Sequence, residues 1–100
     1  MNFGLNQNEF NLLTKLVINP LKRHGAKLWV FGSRARGDHK KFSDIDLMYK
    51  ISNPLPAGFL YDLKSNLEES NLPIKVDLVN EDEIAASYKN SAISERIEIL

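Results

Sequence analysis

Apolar residues in the first quarter of the chain recur at intervals of three and four positions. This spacing places them on one face of an amphipathic helix. The stripe consists of Phe10, Leu13, Leu16, Val17 and Leu21. Pro20 lies within it, so we expect either a kink there or a short second helix with Pro20 in its first turn.

Three later segments have the patterns that strands produce. Lys27–Phe31 is a short run of apolar and β-favouring residues, which predicts a buried strand. In Asp44–Lys50 the odd-numbered positions are apolar and alternate with two aspartates and a methionine. This period of two predicts a half-buried strand. Ile74–Val79 alternates similarly, which turns Asp77 away from the apolar face.

Helices are predicted on either side of the third strand. Apolar positions between Phe59 and Leu67 indicate an amphipathic helix that Pro73 ends. Asn80 is a candidate cap for the segment after the strand. A final helix is expected to carry three apolar residues on one face, namely Ile93, Ile97 and Leu100. The element order predicts one α+β domain over residues 1–100, a small mixed β-sheet flanked by helices.

The composition of the chain bears on its binding partners and its cellular location more than on its chemistry. Thirteen basic and thirteen acidic side chains cancel, so we expect no direct nucleic-acid binding. The longest apolar run, Leu28–Phe31, is far shorter than the roughly 20 residues that span a bilayer. No signal-peptide pattern precedes it, and we expect a cytoplasmic protein without membrane contact. The absence of cysteine excludes thiolate metal sites.

Two aspartates on the second predicted strand are the first candidates for chemistry. Asp44 and Asp46 are two positions apart, so their side chains point to the same face of a strand. Two carboxylates that close repel each other unless a cation lies between them. Magnesium prefers such oxygen ligands together with substrate phosphates. Taken alone, the pair more often marks a solvated strand face, because short motifs produce many false matches.

A glycine-serine turn follows the first predicted strand. Gly32 allows the backbone to approach a ligand closely, and Ser33 can cap the helical turn expected after it. Free backbone N–H groups at such a turn suit phosphate oxygens. Arg34 and Arg36 make the same loop basic. A plain strand-to-loop turn with solvated charges is the simpler explanation if this segment stands alone.

The two segments together resemble a known signature. Residues 31–37 read FGSRARG and residues 43–47 read SDIDL. This is similar to the motif of the nucleotidyltransferase superfamily that includes the palm of DNA polymerase β. The resemblance is closer still to the minimal nucleotidyltransferases of bacteria and archaea. Asp77 falls where that family places its third carboxylate.

The resemblance implies a catalytic set of three carboxylates. Asp44 and Asp46 would bridge two Mg2+ ions, and Asp77 would complete the site of the ion that activates the acceptor hydroxyl. The hydroxyl would attack the α-phosphorus of ATP, and pyrophosphate would leave.

The resemblance also implies a nucleotide-binding set. Gly32 and Ser33 would hold the β- and γ-phosphates, and Arg34 or Arg36 would offset their charge. Ser43 would orient the first catalytic aspartate. Positioning and charge stabilisation carry most of the catalysis in phosphoryl chemistry, so a small domain suffices.

The acceptor is implied by the family alone. Minimal nucleotidyltransferases typically act beside a small helical protein of the HEPN type, often encoded next door, and some are antitoxins that adenylylate a tyrosine of that partner. The implied function is an ATP-dependent protein adenylyltransferase of a toxin–antitoxin pair. Two alternatives stay open: a transferase that modifies a small molecule with a partner subunit, and a non-catalytic antitoxin that neutralises its partner by binding.

Overall fold

This computed structural model describes residues 2–99. The first element in this range is a long helical segment. It runs as α1 (Gln7–Leu13), a π-helical turn (Thr14–Ile18) and α2 (Asn19–Arg23). Asn6 caps α1: its side chain accepts from the Glu9 amide, and the Glu9 side chain accepts from the Asn6 amide. This reciprocal pair satisfies two backbone donors that the first helical turn leaves free.

Pro20 explains the wide turn in this segment. Proline has no N–H to donate to the carbonyl one turn earlier. The helix adjusts just before it, where the Asn19 N–H donates to the Thr14 carbonyl five residues back. The predicted interruption at Pro20 is confirmed, and it takes the form of a π turn followed by a short second helix.

The strands between residues 2 and 99 are β1 (Lys27–Phe31), β2 (Ile45–Lys50), β3 (Val76–Asn80) and β4 (Ile97–Glu98), and helix α4 (Phe59–Glu68) lies between β2 and β3 in the chain. The strands form one mixed sheet in the order β3-β2-β1-β4. β1 is antiparallel to both β2 and β4, whereas β2 and β3 are parallel and joined by α4. The predicted α+β architecture with a crossover helix is therefore confirmed. The remaining elements are α3 (Ser33–Arg36), a 3-10 turn (Glu81–Glu83) and α5 (Ala86–Glu95).

The two faces of the sheet have different covers. The main core fills the face that packs on the N-terminal helices and α4, and its fully buried residues include Leu13, Val17, Leu21, Leu28, Val30, Ile45 and Leu47. On the other face, α5 covers a second cluster of Trp29, Phe31, Met48 and Ala92. The prediction of a half-buried second strand was wrong at Met48, which is fully buried, because α5 lies over that end of the strand.

The C-terminal prediction was also wrong in part. α5 ends at Glu95, and Ile97 lies in β4, opposite Val30 of β1. The Ile99 N–H continues this pairing by donating to the Leu28 carbonyl at 2.9 Å. Ile93 packs on the second cluster, and Leu100 lies outside the described residues. None of the helices formed by residues 2–99 is long and apolar enough to cross a membrane.

A buried carboxylate ties the C-terminal segment to the sheet. Glu81, which follows the confirmed side-chain cap Asn80, is 7% exposed. It accepts hydrogen bonds from Arg96 and, at 3.1 Å, from the Lys50 ammonium. The Arg96 guanidinium lies 3.9 Å from the centroid of the Trp29 ring. The hydrogen bond from Arg96 lowers the pKa of Glu81 against the opposing effect of burial, and Lys50 lowers it further.

Replacement of this carboxylate tests its contribution to stability. Glu81→Gln should reduce the free energy of unfolding at neutral pH by about 1–3 kcal/mol, because two cations lose their anionic partner and face an amide that offers one acceptor oxygen. A lowered folded-state pKa stabilises the protein above the ordinary value of 4.5, and this is lost as the pH falls through the folded-state pKa. Urea denaturation at several pH values should therefore show the deficit shrinking in acid. Exposed Glu83→Gln is the control, and an equal effect in both variants would contradict the assignment.

Candidate active site

The turn after β1 brings the backbone against a carboxylate. Gly32 has φ 74° and ψ −155°, a region essentially reserved for glycine. A Cβ at this position would lie 2.4 Å from Asp46 Oδ2. Both the backbone conformation and the contact exclude a side chain, so this glycine brings the turn and the carboxylates within reach of one ligand.

Ser33 begins α3 and does not cap it. The N-cap position is Gly32, which has no side chain, and α3 has no side-chain capping hydrogen bond. The predicted capping role of Ser33 was therefore wrong. Ser33 is half-buried and directly follows Gly32 in the chain, so its hydroxyl remains a candidate donor to a phosphate oxygen at this turn. Gly37, with φ 86°, ends this short helix.

The register of the sheet gathers two of the three predicted carboxylates. Asp46 on β2 is the lateral neighbour of Asp77 on β3, and on its other side it lies opposite Phe31, the last residue of β1. Asp44 is exposed and directly precedes β2. Burial raises the pKa of Asp46, and the nearby Asp77 and Asp44 carboxylates raise it further. Like charges are thus crowded around Asp46, and a cation would relieve their repulsion.

The carboxylates can bind a small hard cation if a phosphate and water supply the rest of its ligands. Among residues 2–99, no three Asp, Glu or His side chains are grouped closely enough to hold one ion together. An ion here would take one or two carboxylate oxygens and complete its shell with phosphate oxygens and water. Mg2+ is usually bound in this manner, beside a substrate phosphate rather than in an all-protein cage.

Arg34 does not face the site. Its side chain is 3% exposed, and its nitrogens donate to the carbonyls of Phe3, Lys41 and Ser43 at 2.9–3.2 Å. These bonds use the guanidinium to hold the loop before β2 against the N-terminal segment. The expectation that Arg34 offsets phosphate charge is corrected on this ground.

Ser43 takes part in the same set of hydrogen bonds that holds the loop before β2. Its hydroxyl accepts from the Lys40 N–H at 2.8 Å, and its carbonyl accepts from Arg34. The loop that leads into Asp44 is therefore fixed from two sides. The predicted role of Ser43 in orienting Asp44 remains a prediction, with the main chain as the route by which it would act.

Of the two arginines that follow the glycine-serine turn, Arg36 is the exposed one. Its Nε lies 3.1 Å from Asp38 and its Nη1 lies 3.0 Å from Glu95 Oε1. Glu95 Oε1 also accepts the Gly32 N–H at 3.2 Å. Sequence reasoning missed Glu95, because it lies 63 positions from Gly32 and no local motif marks it. Only the docking of α5 and β4 onto the sheet brings it there.

The family of the chain follows from this fold and from sequence comparison. Residues 17–100 match the family described as Polymerase beta, Nucleotidyltransferase, and the chain belongs to that family. The Methanocaldococcus jannaschii protein MJ0435 is 32% identical over 91 residues, which are 90% of this chain and 97% of that protein. MntA of Haemophilus influenzae is 43% identical over 53 residues, covering 53% of this chain and 46% of MntA. Both are named as candidate protein adenylyltransferases.

Solved structures share the architecture. One described as a minimal nucleotidyltransferase has a TM-score of 0.69 and 29% identity, covering 95% of this chain and 97% of its own. A chain from the Shewanella oneidensis complex of a tri-AMPylated HEPN toxin with an MNT antitoxin has a TM-score of 0.60. It is 20% identical, over 94% of this chain and 71% of that one. This second likeness concerns the fold alone.

Two glycines with positive φ test the combined effect of the backbone conformation of Gly32 and its contact with Asp46, because Gly37 lies in the ordinary left-handed helical region. Gly37 also has positive φ, but a Cβ there would meet nothing within 4 Å. Gly37→Ala should therefore destabilise by about 1 kcal/mol, whereas Gly32→Ala should cost about 2–4 kcal/mol. Chemical denaturation of both variants measures the difference. Equal losses would show that the approach of Gly32 to Asp46 is not a close contact.

The crowded carboxylates give a second test that needs no activity. The raised pKa of Asp46 means that its ionisation favours the unfolded chain, so its contribution to stability is lost as the pH rises through the folded-state pKa. At neutral pH without metal, Asp46→Asn should raise the melting temperature by roughly 2–5 °C. Added Mg2+ should then stabilise the wild-type protein but not this variant.

Exposed Asp62→Asn is the control for the same thermal measurement. It should leave the response to Mg2+ at its wild-type value and should not raise the melting temperature, because Asp62 lies in the first turn of α4, where a negative charge favours the helix. Equal stabilisation of all three proteins by Mg2+ would place the ion elsewhere, and a fall in the melting temperature of Asp46→Asn would contradict the crowding.

Proposed function

We propose that this chain transfers AMP from ATP, with Mg2+, to a tyrosine hydroxyl of a partner HEPN toxin and so acts as the antitoxin of the pair. The observation that carries the proposal is the placement of Gly32 against Asp46 with Asp77 in register beside it. A phosphate-binding turn and a set of carboxylates at one point form the minimum apparatus for nucleotidyl transfer.

Each proposed step uses groups whose positions are described above. The Gly32 amide and Ser33 hydroxyl hold the outer phosphates, and Arg36 offsets part of their charge. Asp44 and Asp46 would hold the Mg2+ ions, and bound Mg2+ would supply charge neutralisation for the nucleophile and the leaving group. The acceptor oxygen forms a bond to the α-phosphorus, the bond to pyrophosphate breaks, and the hydroxyl proton passes to solvent.

Asp77 is assigned to the acceptor side of the reaction. It lies on β3, one of the two edge strands of the sheet among residues 2–99, and its side chain is 40% exposed. Lys75 lies 3.5 Å from it across exposed surface, which is a weak restraint. A macromolecular hydroxyl can therefore approach from this edge without displacing the nucleotide on Gly32 and Ser33.

The choice of a protein acceptor has two supports. The relatives MJ0435 and MntA are named for protein adenylylation, and MJ0435 corresponds to this chain over nearly its whole length. The same fold also occurs in a complex with an AMPylated HEPN toxin. A HEPN protein encoded beside this chain is thus the partner we propose to test.

The experiment incubates the chain with Mg2+, ATP labelled at the α-phosphate and a HEPN protein encoded by a neighbouring gene. Mass spectrometry of the partner should show added AMP on tyrosine. Asp77→Asn should lower the rate by orders of magnitude but leave the affinity for Mg-ATP within about twofold, because Asp77 would ligate only the ion on the acceptor side. Asp62→Asn should match the wild-type protein.

Three results would contradict parts of this assignment. Toxin neutralisation without any AMP on the partner would indicate inhibition by binding alone. Turnover with Asp77→Asn at the wild-type rate would remove Asp77 from the site. Wild-type transfer after removal of Mg2+ by a chelator would contradict the metal dependence.

A further inference from the structure

A carboxylate from the end of α5 lies on the turn to which we assign the phosphates. Glu95 Oε1 accepts the Gly32 N–H at 3.2 Å and a hydrogen bond from Arg36 Nη1 at 3.0 Å. Glu95 Oε2 accepts from the same Arg36 nitrogen at 3.1 Å. Two donors proposed to meet phosphate oxygens therefore converge on one anionic group. The Glu95 and Arg36 side chains are 24% and 46% exposed, so a ligand can reach them.

The carboxylate and a phosphate compete for this position. The Gly32 amide has a single hydrogen and cannot give a full hydrogen bond to both anions. A triphosphate held by Ser33 and Arg36 would also be repelled by an ionised carboxylate a few ångströms away. Nucleotide binding at this turn thus requires Glu95 to move off Gly32.

The neighbouring residues limit how Glu95 can move. Arg96 is held by Glu81 and stacks on Trp29. Beyond it, Ile97 pairs with Val30 in the sheet. The main chain on the C-terminal side of Glu95 is therefore anchored, and rotation of the Glu95 side chain is the motion that releases the Gly32 amide.

We propose that Glu95 is an internal anion that occupies the phosphate position in the nucleotide-free protein and is displaced when a nucleotide binds. The proposal rests on the nucleotidyltransferase function given above. The affinity for a phosphate ligand is then reduced by the fraction of molecules in which Glu95 has left the turn. An exposed ion pair is weak, but the added charge-assisted bond to the Gly32 amide strengthens it. A reduction of about three- to tenfold follows.

Calorimetric titration of the full chain tests this competition directly. The probes are inorganic tripolyphosphate and a non-hydrolysable ATP analogue, each with Mg2+. Glu95→Gln should bind both about three- to tenfold more tightly than the wild-type protein, and Glu95→Ala should do the same, which separates loss of charge from new contacts of the amide. Glu98→Gln removes an exposed carboxylate on β4 and should leave both affinities unchanged.

Stability measurements separate competition from a supporting role. If Glu95 held the turn in its binding shape, Glu95→Gln would lower both the melting temperature and the affinity for tripolyphosphate. Competition predicts that the affinity rises while the melting temperature stays constant or falls slightly. Measurable wild-type binding with equal or weaker binding by Glu95→Gln overturns this proposal alone. Failure of all the proteins to bind either probe overturns it together with the proposed function.

Discussion

The approach of Gly32 to Asp46 is the constraint on which the rest of the site depends. β1 and β2 are paired so that Phe31 lies opposite Asp46, and the chain therefore leaves β1 directly beside a carboxylate. A side chain at Gly32 would meet that carboxylate at 2.4 Å, so only glycine allows the sheet register and the turn to coexist. Asp77 joins from the other side because β3 continues the register in parallel. One backbone position thus sets the distance between the turn after β1 and the carboxylates.

Alternation along the chain was sufficient to predict which carboxylates share a face. Asp46 and Asp77 each alternate with apolar neighbours, and an intervening helix favours a parallel pair, so their lateral contact was within reach of sequence reasoning. The burial of Arg34 and the exposure of Arg36 could not be predicted in this way. Both follow the same glycine-serine turn, and what separates them is the burial of Arg34 beneath the carbonyl of Phe3, 31 positions away. Such a long-range contact leaves no trace in a local pattern.

The apolar residues of the C-terminal segment fit both the spacing of a helix and the alternation of a strand. Ile93 and Ile97 fit a helical spacing, whereas Ile97 and Ile99 fit an alternating one. The helix ends at Glu95 and the alternating pattern prevails, because the free edge of β1 offers hydrogen bonds to Ile97–Glu98 and to the Ile99 amide. The same docking places α5 over Met48 and so buries a strand face that looked half-exposed in sequence. Edge pairing of this kind depends on the assembled sheet and cannot be read from the segment itself.

The 63 positions that separate Glu95 from Gly32 also bear on the order in which the molecule is assembled. Contacts between neighbouring stretches of chain close with less loss of entropy than distant ones, so the β1–β2 pair and its turn are expected to form before β4 docks. During synthesis residues 95–98 also leave the ribosome after residues 27–50. If the proposed function holds, the turn is then open to phosphates in solution before Glu95 reaches it. A nucleotide bound at that stage would act as a folding ligand, stabilising the sheet before its last strand is in place.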